Sequence, residues 1–532
     1  MDNQDIIGQK LLLAFKGRQA PAPAIVSALQ RYRPAGFTLF RYLNIDNPVQ
    51  VRQLTGALQR LAVNIGLPPL LIAADQEGGQ LMAVGEGATP LPGNMALGAA
   101  GSSDLSRKAG EVLGRELAAM GINVIYAPVC DVNVNPHNPV IGIRSFGEFP
   151  EDVARHAASM IAGIQSAGVA ATAKHFPGHG DTSADSHHGF QTVPHSKERL
   201  QTVEFPPFRA AIKAGCKLIM SAHIGLPAID GEEAPPATLS STILRGILRE
   251  EMQYQGLIVS DAMDMKAIRQ GPALGEQAVK AVSAGVDLLL LNNDPDDHRC
   301  VHASLLQALQ NGSLDHDVMA TSRERILSLK RWLKAHDTLP EPDVIGCSEH
   351  LAVAKEIAER SITLVRDRAN LLPLNLTADQ RIAVVLPEPC DLTPADTSST
   401  VSISLADAMR VYHAHVDEFS VPHAPSETDC AALQQKLATY DLIVLGTINA
   451  YGNPELARLV KIIISMNIPT VVAALRLPYD LASFPQAPVY VCSYGILEPS
   501  MQALAKALFG KIPFQGRLPV SIPDLYPLGH GE

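Results

Sequence analysis

From Gly36 onward, short apolar runs alternate with longer segments whose apolar residues recur at helical spacing. The runs Gly36–Phe40, Leu70–Ala74, Ile122–Ala127, Val169–Ala173, Leu218–Ala222, Leu257–Ser260 and Asp287–Leu291 are nearly continuous rather than alternating, as strands buried on both faces of a parallel sheet require. Between them, Asp104–Met120, Pro150–Ala167 and Glu276–Ala284 carry apolar residues at helical intervals. Seven or eight such units over roughly 330 residues predict a (β/α)8 barrel, and the absence of any GxGxxG or P-loop glycine pattern after a strand argues against an open doubly wound sheet. Thr321–Lys334 reads as a closing helix. The charged, proline-containing stretch after it has no periodicity.

The predicted organisation is therefore a barrel over 1–336, a linker over 337–348, and a smaller three-layer α/β sandwich over 349–532. In the second unit Glu349–Leu364 is the expected first helix, Arg381–Leu386, Leu442–Gly446, Thr470–Leu475 and Val489–Ser493 are the expected strands, and Thr428–Leu437, Asn453–Ile464 and Glu498–Leu508 the later helices. Its loops offer few convergent charges, and Asp391–Asp396 reads as readily as a solvated turn.

Polar residues fall where the apolar runs stop. Asp75-Gln76-Glu77 ends the second run, Asp131 and Asn133 follow the third, Lys174-His175 the fourth, His223 the fifth, Asp261 the sixth and Asn292-Asn293-Asp294 the seventh. In a parallel barrel these ends share one face, so they are expected around one pocket. Asp261 is delivered by a rigid element and is the candidate nucleophile. A helix N-cap is the plain alternative, a task better suited to Asp264 three residues on.

The densest chemistry lies in Val169–Phe190, VAATAKHFPGHGDTSADSHHGF, where a buried strand stops at Pro177-Gly178 and gives way to a glycine-rich loop with His179, Asp181, Asp185, His187 and His188. Asp185 and His187, two apart, can pair so that the carboxylate fixes the imidazole tautomer and raises its basicity, a candidate proton shuttle. Structural histidines, a metal site and a solvated loop are the competing readings. The spacing matches no HExxH or CxxC pattern, so no metal is expected. A carboxylate facing a proton shuttle is what displacement at a sugar's anomeric carbon needs, and an imidazole serves as both acid and base near neutral pH. Asp75 would accept hydroxyl hydrogen bonds while Arg144 and Lys174 donate them.

Composition narrows the partners. A net charge of -11 without a Lys/Arg-rich run disfavours nucleic acid, and no apolar stretch reaches the length of a membrane span. The first residues, with only Leu11–Phe15 apolar, lack the core of a signal peptide, and seven scattered cysteines read as small core residues in a reducing, cytoplasmic setting. Nothing in the chain sets an oligomeric state. No cofactor is required by the chemistry above.

The motifs KHFPGHGDTSADSH at Lys174–His187, DQEGG at Asp75–Gly79, NPVIGIRSFG at Asn138–Gly147 and SDAMDM at Ser260–Met265 resemble glycoside hydrolase family 3, and in particular its β-N-acetylglucosaminidase branch. The Lys-His pair is shared with the family's β-glucosidases, whereas GHGDTxxDSH is more specific to that branch. SITLVRD at Ser361–Asp367 and GRLPVSIP at Gly516–Pro523 are similar to the C-terminal α/β domain that some members carry. The resemblance implies a retaining hydrolase acting on terminal β-linked N-acetylglucosamine, in muropeptides or chitin oligomers. It implies Asp261 as the nucleophile that forms a covalent glycosyl-enzyme, His187 with Asp185 as the acid/base dyad, and Asp75, Arg144, Lys174 and His175 as sugar-binding residues. Two departures stand out: Gln80-Leu81 replaces the Arg-Val that often follows DQEGG, removing a cation at the pocket rim, and His188 doubles the dyad histidine. Phosphorolysis of the same glycosides, and a catalytically inactive carbohydrate-binding protein, are the rival functions.

Overall fold

The computed structural model describes residues 3–20, 22–183, 189–268, 273–336 and 339–532. Its first part is an eight-stranded parallel barrel: β1 (Leu11–Leu13), β2 (Gly36–Leu39), β3 (Leu71–Ala74), β4 (Val124–Ile125), β5 (Ala170–Phe176), β6 (Leu218–Ser221), β7 (Leu257–Ser260) and β8 (Leu289–Leu291). They are paired in the order β7-β6-β5-β4-β3-β2-β1-β8, and a Val259–Leu288 bridge joins the two ends. All eight strands are buried along their whole length, which is why they read as unbroken apolar runs. The sequence reading begins at Gly36 and so omits β1, whose three residues are too few to show a period.

Inside the barrel, Leu71, Ala73, Val124, Tyr126, Leu218, Leu257 and Leu290 pack against one another and against Trp332 and Leu333 of the closing helix His316–Ala335. Trp332 thus sits at the lower end of the barrel, with the Lys217 ammonium 4.7 Å from its ring centre.

Among the described residues no helix is long and apolar enough to cross a membrane. After a helix that begins at Ser348, six more strands form a second sheet: β9 (Thr363–Asp367), β10 (Ile382–Pro387), β11 (Val416–Val421), β12 (Leu442–Thr447), β13 (Thr470–Ala474) and β14 (Val489–Cys492), in the order β9-β14-β13-β12-β10-β11. Side chains on β10 alternate, Ile382, Val384 and Leu386 toward the helices Leu405–Arg410 and Glu498–Leu508, and Ala383 and Val385 toward the opposite face with Glu427–Leu437 and Pro454–Ser465. That is the three-layer sandwich expected. The first helix stops at Ser361 rather than running to Leu364, because Thr363–Asp367 is drawn into an antiparallel edge pairing with β14.

The second sheet docks on the barrel through several buried polar contacts. Glu116 of the barrel accepts hydrogen bonds from Thr89, from the Gly346 amide and from the ring of His350. Near the C-terminus, Arg517 N donates to Ala99 O and Glu148 N to Pro519 O.

Candidate active site

The C-terminal ends of the barrel strands open into a pocket with a cavity volume of about 180 Å³, lined by Asp75, Arg144, Lys174, His175, His179 and Asp261 among others. Strand order fixes where its carboxylates stand. β3 and β7 are four places apart in a ring of eight, so Asp75 and Asp261 face each other across the barrel mouth. Asp261 is half-buried, held by its amide to Ser221 O (3.1 Å), with one carboxylate oxygen accepting the Ala262 amide at 2.7 Å. Asp264 is in a turn, and the next described helix begins only at Leu274, so the helix-cap role read from sequence does not apply to it.

From the Asp75 pole a continuous polar chain runs back to Asp131 beneath the pocket. Lys174 Nζ donates to Asp75 Oδ1 (2.6 Å) and to Glu77 Oε1 (2.7 Å). Arg144 grips Glu77 with Nε and one terminal nitrogen at 2.9 and 2.8 Å, a planar two-point pair. The same terminal nitrogen lies 3.4 Å from His175 Nε2, while His175 Nδ1 is 2.7 Å from Asp131 Oδ2. With Arg144 donating to Nε2, Nδ1 is the imidazole's donor to Asp131.

Burial alone would raise the Glu77 carboxyl, but the Arg144 and Lys174 charges beside it overcome that and bring it to about 2. Burial likewise works against the Lys174 ammonium, yet Asp75 and Glu77 raise it above its ordinary value. Glu77, Lys174 and Arg144 therefore stay ionised at neutral pH. Asp75, with 27% of its side chain exposed against 2% for Lys174 and Glu77, is the member open to a ligand's hydroxyls.

Local backbone explains why these residues meet. Directly after β3, Gln76–Gly78 pairs with Leu81–Met82 in a small hairpin that folds Glu77 back under Lys174. Gly79 in its turn has φ +62°, and a Cβ there would stand 2.7 Å from Gly93 Cα. At β5 the Lys174–His175 and Phe176–Pro177 peptides are both cis. The following PGHG turn is pinned from behind: Asp131 Oδ1 accepts the His179 amide (2.7 Å), and Asn138 donates to His179 O (2.8 Å). Gly180 approaches so closely that a Cβ would meet Val132 O at 1.8 Å. Burial lowers the His179 imidazole to about 4.

Asp131 is thus not a pocket ligand, as its position after the third run implied, but a buried carboxylate joining His175 to the base of the PGHG loop. Against its desolvation, His175 and His179 hold its pKa below the usual range. Asp131→Ala removes the acceptor of three hydrogen bonds, and is expected to destabilise the fold by about 2–4 kcal/mol and to raise KM without abolishing turnover; urea melts and steady-state kinetics read both.

Other strand-end groups also serve the scaffold. Asn133 donates to Tyr479 Oη, and His223 bridges Thr238 and the Ala262 carbonyl. Asn292 binds Asp297 and receives His298. None of the three lines the pocket, contrary to the expectation that all strand ends gather there. Glu77 is the converse, a buried partner of two predicted site residues that the sequence reading names only in passing. Asp185, His187 and His188 lie outside the described residues.

A (β/α)8 barrel with a pocket at its strand ends, a carboxylate at each pole and two buried cations backing one of them is an architecture that glycoside hydrolases use. The chain belongs to family 3 of these enzymes: residues 7–329 match the model described as the glycosyl hydrolase family 3 N-terminal domain. It is 30% identical to a beta-hexosaminidase A of Pseudoalteromonas piscicida over 98% of this chain and 97% of that protein. To a beta-N-acetylglucosaminidase/beta-glucosidase of Cellulomonas fimi it is 31% identical, covering 85% and 83%. Among solved structures, a family 3 beta-N-acetylglucosaminidase from Paenibacillus sp. str. FPU-7 superposes with a TM-score of 0.93 at 36% identity, over 98% of this chain and 99% of that one.

Proposed function

We propose that the chain is a retaining β-N-acetylglucosaminidase that removes terminal β-linked N-acetylglucosamine from small oligosaccharides such as muropeptides or chitin oligomers, within the cytoplasm. The observation that carries the reading is the polarity of the pocket: Asp261 at one pole, and at the other Asp75 backed by Lys174, Glu77 and Arg144. The names of the full-length relatives support the amino sugar, and seven free cysteines support a reducing compartment. Peptidoglycan recycling is a natural setting for such an activity. The barrel over 1–336 would carry the chemistry, with 337–348 leading to the sandwich.

In this mechanism Asp261 attacks the anomeric carbon while the His187 imidazolium gives its proton to the departing glycosidic oxygen, leaving an ester between Asp261 and the sugar. His187, now neutral, then takes a proton from water as that water attacks the ester carbon and releases Asp261. Asp185 orients the imidazole through both steps. Asp75, Lys174, Arg144 and His175 hold the sugar, Asp75 as hydroxyl acceptor and the Lys174 and Arg144 cations as donors. Both poles stay rigid because each sits on a strand end.

His187→Ala is expected to lower kcat about 10²–10³-fold on substrates with poor leaving groups and far less on nitrophenyl glycosides, whose phenolate leaves without a proton. The same pattern in His188→Ala instead would move the proton carrier one residue. Reducing sugar is the expected product even in phosphate buffer; formation of sugar 1-phosphate would turn the reading to phosphorolysis. No turnover with any aryl glycoside would turn it to a binding protein.

A further inference from the structure

One wall of the pocket is not part of the barrel. Pro394, Ala395, Asp396 and Thr397, from the loop that follows β10 in the second sheet, line it together with the end of β2. The chain leaves β10 to form β11 on one side and returns to β12 on the other, so this loop rises from the reversal point of the sheet, where open α/β folds place their ligand crevices. Here the crevice is presented to the barrel.

The loop is locked both within itself and to the hairpin after β3. Asp396 accepts from the amides of Leu392 and Ser398 and pairs with Arg476 at 2.9 Å, both side chains buried. Arg476 reaches on to Gln80 Oε1, and Gln80 Nε2 donates to Ala395 O. The Gln80 carbonyl in turn accepts the amide and the hydroxyl of Thr397, both at 2.8 Å. So Gln80 of the barrel receives a cation from the second domain. A further tie, Tyr42 Oη to Asp391 (3.0 Å), closes the outer edge.

This wall adjoins the residues that immediately follow Asp75, hence the pole opposite Asp261. In a pyranose the hydroxyls farthest from the anomeric carbon are those on C4 and its neighbours, the point from which a 1,4-linked chain would continue. We propose that the loop 391–397, latched by Gln80, Arg476 and Asp396, makes the pocket one sugar deep and so confines the enzyme to unsubstituted terminal residues. This deepens the glycosidase reading and rests on it. Gln80 is a positioning residue here, acting through the loop it holds.

The test compares 4-nitrophenyl β-N-acetylglucosaminide with 4-nitrophenyl β-chitobioside in the full chain. The native protein is expected to take single N-acetylglucosamine from the chitobioside first and to release no chitobiose. Gln80→Ala and Thr397→Val, each removing a latch contact while leaving the buried Asp396–Arg476 pair intact, are expected to release chitobiose directly and to raise the chitobioside-to-monosaccharide ratio of kcat/KM about tenfold or more. Equal losses on both substrates, with the ratio unmoved, would mark a structural role only and overturn the proposal. So would chitobiose released by the native protein, a result that needs no variant to fold. Failure of the underlying reading looks different: the native protein would leave both N-acetylglucosaminides intact, and the depth of the pocket would then be read from binding of N-acetylglucosamine against chitobiose by calorimetry, with equal affinity counting against the wall.

Discussion

Asparagine at position 261 is expected to lower kcat on an aryl β-N-acetylglucosaminide by about 10⁴-fold, close to 5.5 kcal/mol of transition-state stabilisation, with little change in thermal stability. Size and shape are conserved, and the asparagine oxygen can still accept the Ala262 amide that Asp261 accepts at 2.7 Å, so the loop after β7 keeps its anchor. What disappears is the anionic oxygen that bonds to the anomeric carbon. The shorter Asp261→Ala gives the complementary test, since it opens space on the attacked face. Azide entering there would displace the leaving group once rather than twice and give the α-glycosyl azide, the opposite anomer from the normal product. Near-native turnover in Asp261→Asn, or a β-azide from Asp261→Ala, would remove Asp261 from the role of nucleophile.

Position after a strand was enough to bring Asp75, Lys174, His175 and Asp261 to the lining of one pocket, because a parallel barrel turns every strand end toward one face and the apolar runs mark those ends clearly. The same rule overreached for Asn133, His223 and Asn292, which leave the same face but turn into neighbouring loops to satisfy buried polar groups. Strand existence was legible where burial is two-sided. It faded for β11, whose VDEFSV lies at the sheet's edge and is buried only at its two ends, and for β9, separated by a single residue from the helix before it.

Glu77 escaped because its partners come from other elements: Lys174 is 97 residues away on β5, and Arg144 lies in the loop after β4. Only the hairpin forced by Gly78 and Gly79 brings the three together. The C-terminal wall was hidden for a stronger form of the same reason. Asp391–Asp396 looks like a solvated turn until a second domain covers it, and Arg476 stands apart in sequence from both Gln80 and Asp396. One signal was present, the departure at Gln80 itself, which sits where the two domains exchange a charge.

Loss of Glu77 carries the largest expected effect on stability. Its carboxylate is the shared anion of two buried cations, so Glu77→Ala leaves Arg144 and Lys174 facing each other with only the less direct charges of Asp75 and Asp131 to offset them. A change of that kind is expected to cost about 3–5 kcal/mol. Glu77→Gln keeps the volume and one acceptor but not the charge, and its penalty should depend on pH in a defined direction. The folded-state pKa of Glu77, about 2, lies below the ordinary value of 4.5, so the folded protein holds the ionised form more tightly than the unfolded chain does. That stabilisation, about 3 kcal/mol, is complete above the unfolded pKa and is withdrawn as pH falls from about 4.5 toward 2. Urea unfolding of the native protein and of Glu77→Gln should therefore show a gap of about 3 kcal/mol at pH 7 that shrinks to about half by pH 3. A gap that stayed constant across that range would mean that Glu77 contributes by shape alone, and the charged cluster behind Asp75 would then need another source of order.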